Sequence, residues 1–197
     1  MKNLLKFASV LIIFMLFFGC AGSTRYMKDV TDSEVSYVPG ADQSVILFMR
    51  PSTFGFAIQS AVFDVTTDEN KLVGIVSAKK KVAYITKPGK HLLMITGEAA
   101  DFMQADLEPG KTYYVLVNPV MGVWKARFSL GAIHKTVNHA KLEKWKNACK
   151  YNKVIEATHQ WAEKNSRSIQ AKRARYLPRW EAKPESKKPT LFPDDGF

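Results

Sequence analysis

Between Gln43 and Leu130 no stretch of the chain combines the length and the 3.6-residue period of a helix that could cross over between parallel strands. Those residues form short runs rich in Val, Ile, Tyr and Phe, cut by turn residues at close intervals. The pattern predicts strands near Val45 to Met49, Ala57 to Val65, Lys71 to Ser77, Val82 to Thr86, His91 to Thr96, Phe102 to Leu107, Thr112 to Asn118 and Val123 to Leu130. Thr67-Asp68-Glu69-Asn70 is a polar hairpin tip. Pro88-Gly89 and Pro109-Gly110 each set a proline of fixed φ before a residue free to take positive φ, which is the chemistry of a type II turn. The expected fold is mainly β, an antiparallel β-sandwich of about seven to eight strands over residues 44–136. A doubly wound α/β arrangement is disfavoured.

Val45 to Phe48, Leu92 to Ile95 and Tyr113 to Val117 are apolar on both alternating faces, so none of these strands can have a wet side. The second face is covered by the same chain or presented to a partner. The segment that follows is the obvious cover. Residues 138–175 hold no Gly or Pro and are rich in Ala, Lys, Glu, Gln and Arg, which predicts a helical segment over 137–175 with Asn138 as N-cap. Leu142, Trp145, Ala148, Cys149 and Asn152 share one side of a helical wheel, and Tyr151, Val154, Ile155, Thr158 and Ala162 another. The stripe jumps near Tyr151, which predicts a bend or two shorter helices. Residues 176–197 read as an extended basic tail.

The chain has 197 residues, 46% of them apolar, enough for one sizeable core with appendages. Two cysteines exclude a disulfide framework and an all-thiolate zinc site. At the N-terminus Lys2 and Lys6 precede an apolar run from Phe7 to Phe18 that ends at Gly19-Cys20-Ala21-Gly22-Ser23. This is the pattern of a secretory leader, and the run falls short of the roughly 20 residues a spanning helix needs. Its ending resembles the lipobox of bacterial lipoproteins, although Phe17 and Phe18 stand where that pattern favours Leu and a small residue. The resemblance implies removal of residues 1–19, acylation of Cys20, and a polar tether over 20–43. Ala21 is not the Asp that retains such proteins in the inner membrane, so the implied address is the outer membrane, facing the periplasm. Loss of the leader removes two lysines and no acidic residue, lowering the formal charge from +11 to +9. That compartment makes nucleic acid an unexpected partner for a basic chain.

Arg50-Pro51-Ser52, Pro88-Gly89-Lys90-His91, Leu107 with Gly110-Lys111-Thr112-Tyr113-Tyr114, and Met121-Gly122 then follow in order. Together they resemble a family of small bacterial lipoprotein domains of unknown function with a transthyretin-like or carboxypeptidase-regulatory-like β-sandwich. The resemblance covers about half the chain and implies fold and location, with no catalytic residues. The basic C-terminal extension lies outside it.

Residues 138–197 carry 14 Lys+Arg against 7 Asp+Glu. Arg173, Arg175 and Arg179, with Trp180 and the interleaved Tyr176, are the candidate partner-binding residues; such a mixture suits anionic lipid, peptidoglycan or an envelope protein. His91, His134, His139 and His159 form no metal-binding motif, and no cofactor is implied. The expected role is non-catalytic binding or support at the cell envelope. One alternative is an envelope enzyme with His134 or His139 as base in a cleft between sandwich and helix. Another is a subunit of a larger assembly that uses Trp145 and Trp161. Phe54-Gly55-Phe56 reads as a loop with two aromatics, for which inward packing is favoured over recognition of a partner. Cys149 has no intramolecular partner once Cys20 is acylated.

Overall fold

A computed structural model describes residues 25–35, 37–58, 60–120 and 127–197. The strands are β1 Met27–Asp29, β2 Ser44–Arg50, β3 Ala61–Asp64, β4 Lys71–Ile75, β5 Lys80–Thr86, β6 Gly89–Thr96, β7 Ala100–Leu107, β8 Thr112–Val120, β9 Arg127–Ile133, β10 Lys150–Val154 and β11 Thr190–Leu191. The helices are α1 His139–Asn147, α2 Glu156–Lys164 and α3 Ser166–Glu181. The protein is mainly β. Each predicted strand has a counterpart in β2 to β9; Met121-Gly122 and the start of the last predicted strand lie outside the described residues.

Two sheets share the core, one of six strands in the order β1-β10-β5-β2-β8-β9 and one of five in the order β11-β7-β6-β3-β4. The expectation of a wholly antiparallel arrangement is corrected: β2 runs parallel to β8, β10 to β5 and β11 to β7. A parallel pair needs a long connection between its strands. No helix supplies one between β2 and β8; the chain instead passes through the second sheet as β3 and β4, returns as β5, and passes through it again as β6 and β7. Helical periodicity alone therefore could not disclose the pairing. Among the described residues the strand count rises to 11 because three further segments add edges to the sheets.

All seven residues of β2 are buried. Ile46 and Phe48 enter the shared core, while Leu47 and Met49, on the other face, pack in a smaller cluster with Leu142 of α1, Cys149 and Ile133. The cover predicted for the second face is thus present. Asn138 caps α1 as expected, its side-chain oxygen accepting from the Lys141 N–H at 3.2 Å. The helical segment is corrected at its middle. Where the stripe jumps, at Tyr151, the chain becomes β10, which satisfies the open edge of β5.

The tether is corrected too, because Met27–Asp29 joins the sheet as β1, pairing with β10, and Met27 is 1% exposed in the core. α2 seals this corner: Thr158 donates its hydroxyl to the Tyr26 carbonyl, and Trp161 lies 6.3 Å from the Tyr26 ring.

The tail is corrected at its start, which is helical as far as Glu181, and the remainder packs on the domain. α3 continues through Pro178 to Glu181, carrying Trp180 onto Phe102 of β7 with ring centroids 5.9 Å apart. A proline removes one helical hydrogen bond, and burial of the indole outweighs that loss. Leu191 is then fully buried as β11 pairs with β7. Phe197 exchanges two 2.9 Å backbone hydrogen bonds with Thr112 of β8, and Lys111 Nζ and Tyr113 Oη both donate to the Pro193 carbonyl. Residues 190–197 thus join the edge of one sheet to the other. A methyl group on Gly196 would sit 2.7 Å from Lys111 Cβ and 2.9 Å from Tyr113 Cζ. Gly196→Ala is expected to lower stability by about 1–3 kcal/mol through overpacking, read as a shift in the urea midpoint.

Candidate functional site

Of the candidate partner-binding residues, two are engaged within the fold. Arg173 wraps the tip between β3 and β4, donating to the carbonyls of Val65 (3.0 Å), Thr67 (2.7 Å) and Asp68 (2.9 Å). Trp180 is 4% exposed, with Lys188 Nζ above its ring, so it offers no stacking surface. Arg175 and Arg179 remain exposed on α3. Cys20 and the leader lie outside the described residues. Trp145 and Trp161 are half-buried against the two clusters.

The loop between β2 and β3 departs most from expectation. Phe54 is 53% exposed and Phe56 73% exposed; neither packs inward. The reason is the residue that closes β2. Arg50 is fully buried, and its guanidinium donates to the carbonyls of Phe54 (3.0 Å), Gly55 (2.7 Å) and Ile58 (3.0 Å). The Phe128 ring covers it at 4.6 Å. Gly55 takes φ +64°, a left-handed turn that suits glycine. No carboxylate faces Arg50 among the described residues, and its Nε has no hydrogen-bond partner there. Desolvation brings its pKa down to about 10, still leaving it charged at neutral pH. A buried cation held by backbone carbonyls thus shapes a tight loop and turns its aromatics outward. The signal available in the sequence was an arginine ending an otherwise apolar strand.

The histidines divide into three situations. His139 and His159 are exposed. His134, at the end of β9, donates Nδ1–H to Asp195 Oδ2 at 2.9 Å, which leaves Nε2 as its acceptor nitrogen. Ser186, Glu185 and Phe192 line the same cleft of about 510 Å³, and Phe192 stacks on the imidazole. Such a dyad has the polarity of an acid–base pair. Asp195 also accepts from the Phe192 and Lys135 backbone N–H groups, so the same carboxylate fastens the C-terminal residues.

His91 is placed differently. Its Nδ1 lies 2.8 Å from Asp64 Oδ2 and its Nε2 2.9 Å from the Lys87 carbonyl, two acceptors that favour the imidazolium. The hydrogen bond to Asp64 raises its pKa, against desolvation, and the Lys87 carbonyl adds to the rise. Burial alone would raise the Asp64 carboxyl. Hydrogen bonds from His91, Thr66 and Tyr84 outweigh it and hold the group well below the usual carboxylate range. Desolvation, together with this carboxylate, pushes Tyr84 up. With both nitrogens occupied, His91 braces the Lys87–His91 turn and has no position left for a substrate. Elsewhere, burial pushes the free Cys149 thiol up. Among the described residues no three of His, Cys, Asp or Glu gather closely enough to hold a metal ion.

No protein-family model matches the chain, and a comparison with curated proteins finds no match either.

The His91–Asp64 pair makes stability depend on pH on both sides. The raised His91 pKa contributes stability in full below about 6.5, lost as pH rises through the folded value above it. The lowered Asp64 pKa contributes above about 3.9, lost as pH falls toward the folded value below it. The pair is expected to stabilise most between those limits. Urea midpoints measured across pH should show His91→Gln flattening the alkaline limb and Asp64→Asn the acid limb, each variant losing about 1–3 kcal/mol near pH 5.5.

Proposed function

We propose that this chain is a bacterial lipoprotein of the outer membrane, held through lipid on Cys20 and facing the periplasm as a β-sandwich, with a non-catalytic binding or structural role at the envelope. The single observation that carries the reading is the order of the first twenty residues: two lysines, an apolar run too short to span, and one cysteine at its end. Two or three acyl chains anchor stably where one does not. Two features of the folded part are compatible with such an anchor. No helix among the described residues is long and apolar enough to cross a membrane. β1 begins at Met27, so only residues 21–26 separate Cys20 from the first strand.

That short reach keeps the domain close to the bilayer. Exposed Arg175 and Arg179 remain the candidates, on α3, for an anionic partner: lipid, peptidoglycan or another envelope protein. The ordered motifs from Arg50 to Met121 support kinship with the small lipoprotein domains of transthyretin-like fold.

The hydrogen bond between His134 and Asp195 at the edge of an open cleft favours a second reading, acid–base catalysis at the envelope. Turnover of a peptidoglycan preparation or a simple ester that vanishes in His134→Gln would establish it, whereas no turnover by the parent chain would remove it. The anchor is tested directly. Cys20→Ser is expected to release the protein from membranes washed at high salt, which strips electrostatic contacts but not acyl anchors, into the soluble fraction, with the acyl mass absent from the intact-mass spectrum. Unchanged retention, or an unmodified thiol on the parent chain, would overturn the proposed anchor.

A further inference from the structure

The loop shaped by Arg50 has no internal use for its aromatics. Three donated hydrogen bonds to carbonyls fix its backbone, yet the side chains so positioned are left in water. Strand register shows what stands beside them. β8 runs parallel to β2 with Met49 level with Leu116, so residues 118–120 extend beyond the end of β2, toward the loop. There Val120 is 42% exposed and pairs with exposed Arg127. Lys80 is level with both Arg50 and Lys150, which brings exposed Lys79 and Lys150 to the same end. Acidic side chains stand at that end as well: Glu98 on the hairpin between β6 and β7 of the second sheet, and exposed Asp29 and Asp32 beside β10, which face Lys80 and Lys81. With Asp29 and Asp32 facing Lys80 and Lys81, the exposed Lys79, Arg127 and Lys150 accompany the apolar tip, a combination that matches the interface of an anionic bilayer, where aromatic rings settle at headgroup level and each basic side chain adds attraction.

We propose that the 54–56 tip is a membrane-contacting loop whose two phenylalanines enter the headgroup region of an anionic bilayer, with Lys79, Arg127 and Lys150 facing the phosphates. The distances allow this contact to share a membrane with the lipid on Cys20, a part of the inference that rests on the anchor proposed above. Met27 lies three strand spacings from β2, about 14 Å, and four residues along from the level of Arg50, about 13 Å, so Met27 and Arg50 are roughly 20 Å apart, with the tip a few ångströms farther out. Seven residues from Cys20 to Met27 reach at most about 25 Å. With two contacts in place of one, the domain has a defined orientation on the surface.

The test uses the whole chain from residue 20 with Cys20→Ser, so its outcome is independent of acylation. Vesicles of phosphatidylglycerol and phosphatidylethanolamine are the probe, with phosphatidylcholine vesicles as the uncharged control. The parent chain is expected to bind the anionic vesicles preferentially. Phe54→Ser combined with Phe56→Ser should weaken that binding at least about tenfold while leaving the melting temperature unchanged, because both rings are exposed. An environment-sensitive fluorophore on Phe56→Cys should shift to the blue on the same vesicles; Cys149, 3% exposed, does not compete for the label. Equal binding by parent and double variant, no binding by the parent, or no spectral shift would overturn the proposal. Tip-dependent capture of one envelope protein without any effect on vesicle binding would replace lipid with a protein as the occupant.

Discussion

Strand β2 lies between neighbours on both edges and has no wet face, and that enclosure is the constraint to which the rest of the molecule answers. Its inner side chains require a second sheet; its outer ones require α1 and the residues around Cys149. Its edges are taken by β5 and β8, one antiparallel and one parallel, and the parallel pairing requires the long detour through β3, β4, β6 and β7. A strand buried on all sides has to be enclosed before its burial stabilises anything. The appended C-terminal segments are therefore structural parts of the domain. α1 covers one face, β10 and β1 extend one sheet, and α3 covers the other sheet through Ile169 and Trp180.

The interior also holds polar groups, each answered locally. Arg50 is met by loop carbonyls, and Asp64 by His91, Tyr84 and Thr66. Lys81, whose pKa is lowered by desolvation, lies over the Tyr151 ring at 4.0 Å and donates to the Lys146 carbonyl. Through these groups segments that burial of apolar surface alone would leave unfixed are tied down: the 54–58 loop by Arg50, the turn before β6 by His91, which also meets the Lys87 carbonyl, and the end of α1 by Lys81. Hydrogen bonds in a water-poor interior are directional, so these groups set loop geometry where hydrophobic packing sets only proximity.

Local pattern carried β2 to β9 well, because turn chemistry at Pro88-Gly89 and Pro109-Gly110 and alternating apolar runs are properties of neighbouring residues. Features that depend on distant partners were not legible. Met27–Asp29 is too short and polar to announce itself, and is a strand because β10 offers an edge. Lys150–Val154 sits in helix-favouring composition, with only the jump at Tyr151 as a sign. Pro178 argued for a helix end, and burial of Trp180 overrode it. The same limit governed the site residues: Arg173 and Trp180 look like surface groups in composition, and only the fold turns them inward. Phe54 and Phe56 look like core residues until the buried guanidinium of Arg50 is seen beneath them.

The edges completed by late-arriving segments also govern when the molecule can become itself. β1 must wait for β10, the open edges of β5 and β7 for β10 and β11, and Thr112 for Phe197, so these edges stay unpaired until residues far downstream have left the ribosome. Loop closures of that span make folding slow relative to a chain of local contacts. A chain built this way leaves several strand edges open to solvent until its last segments have docked.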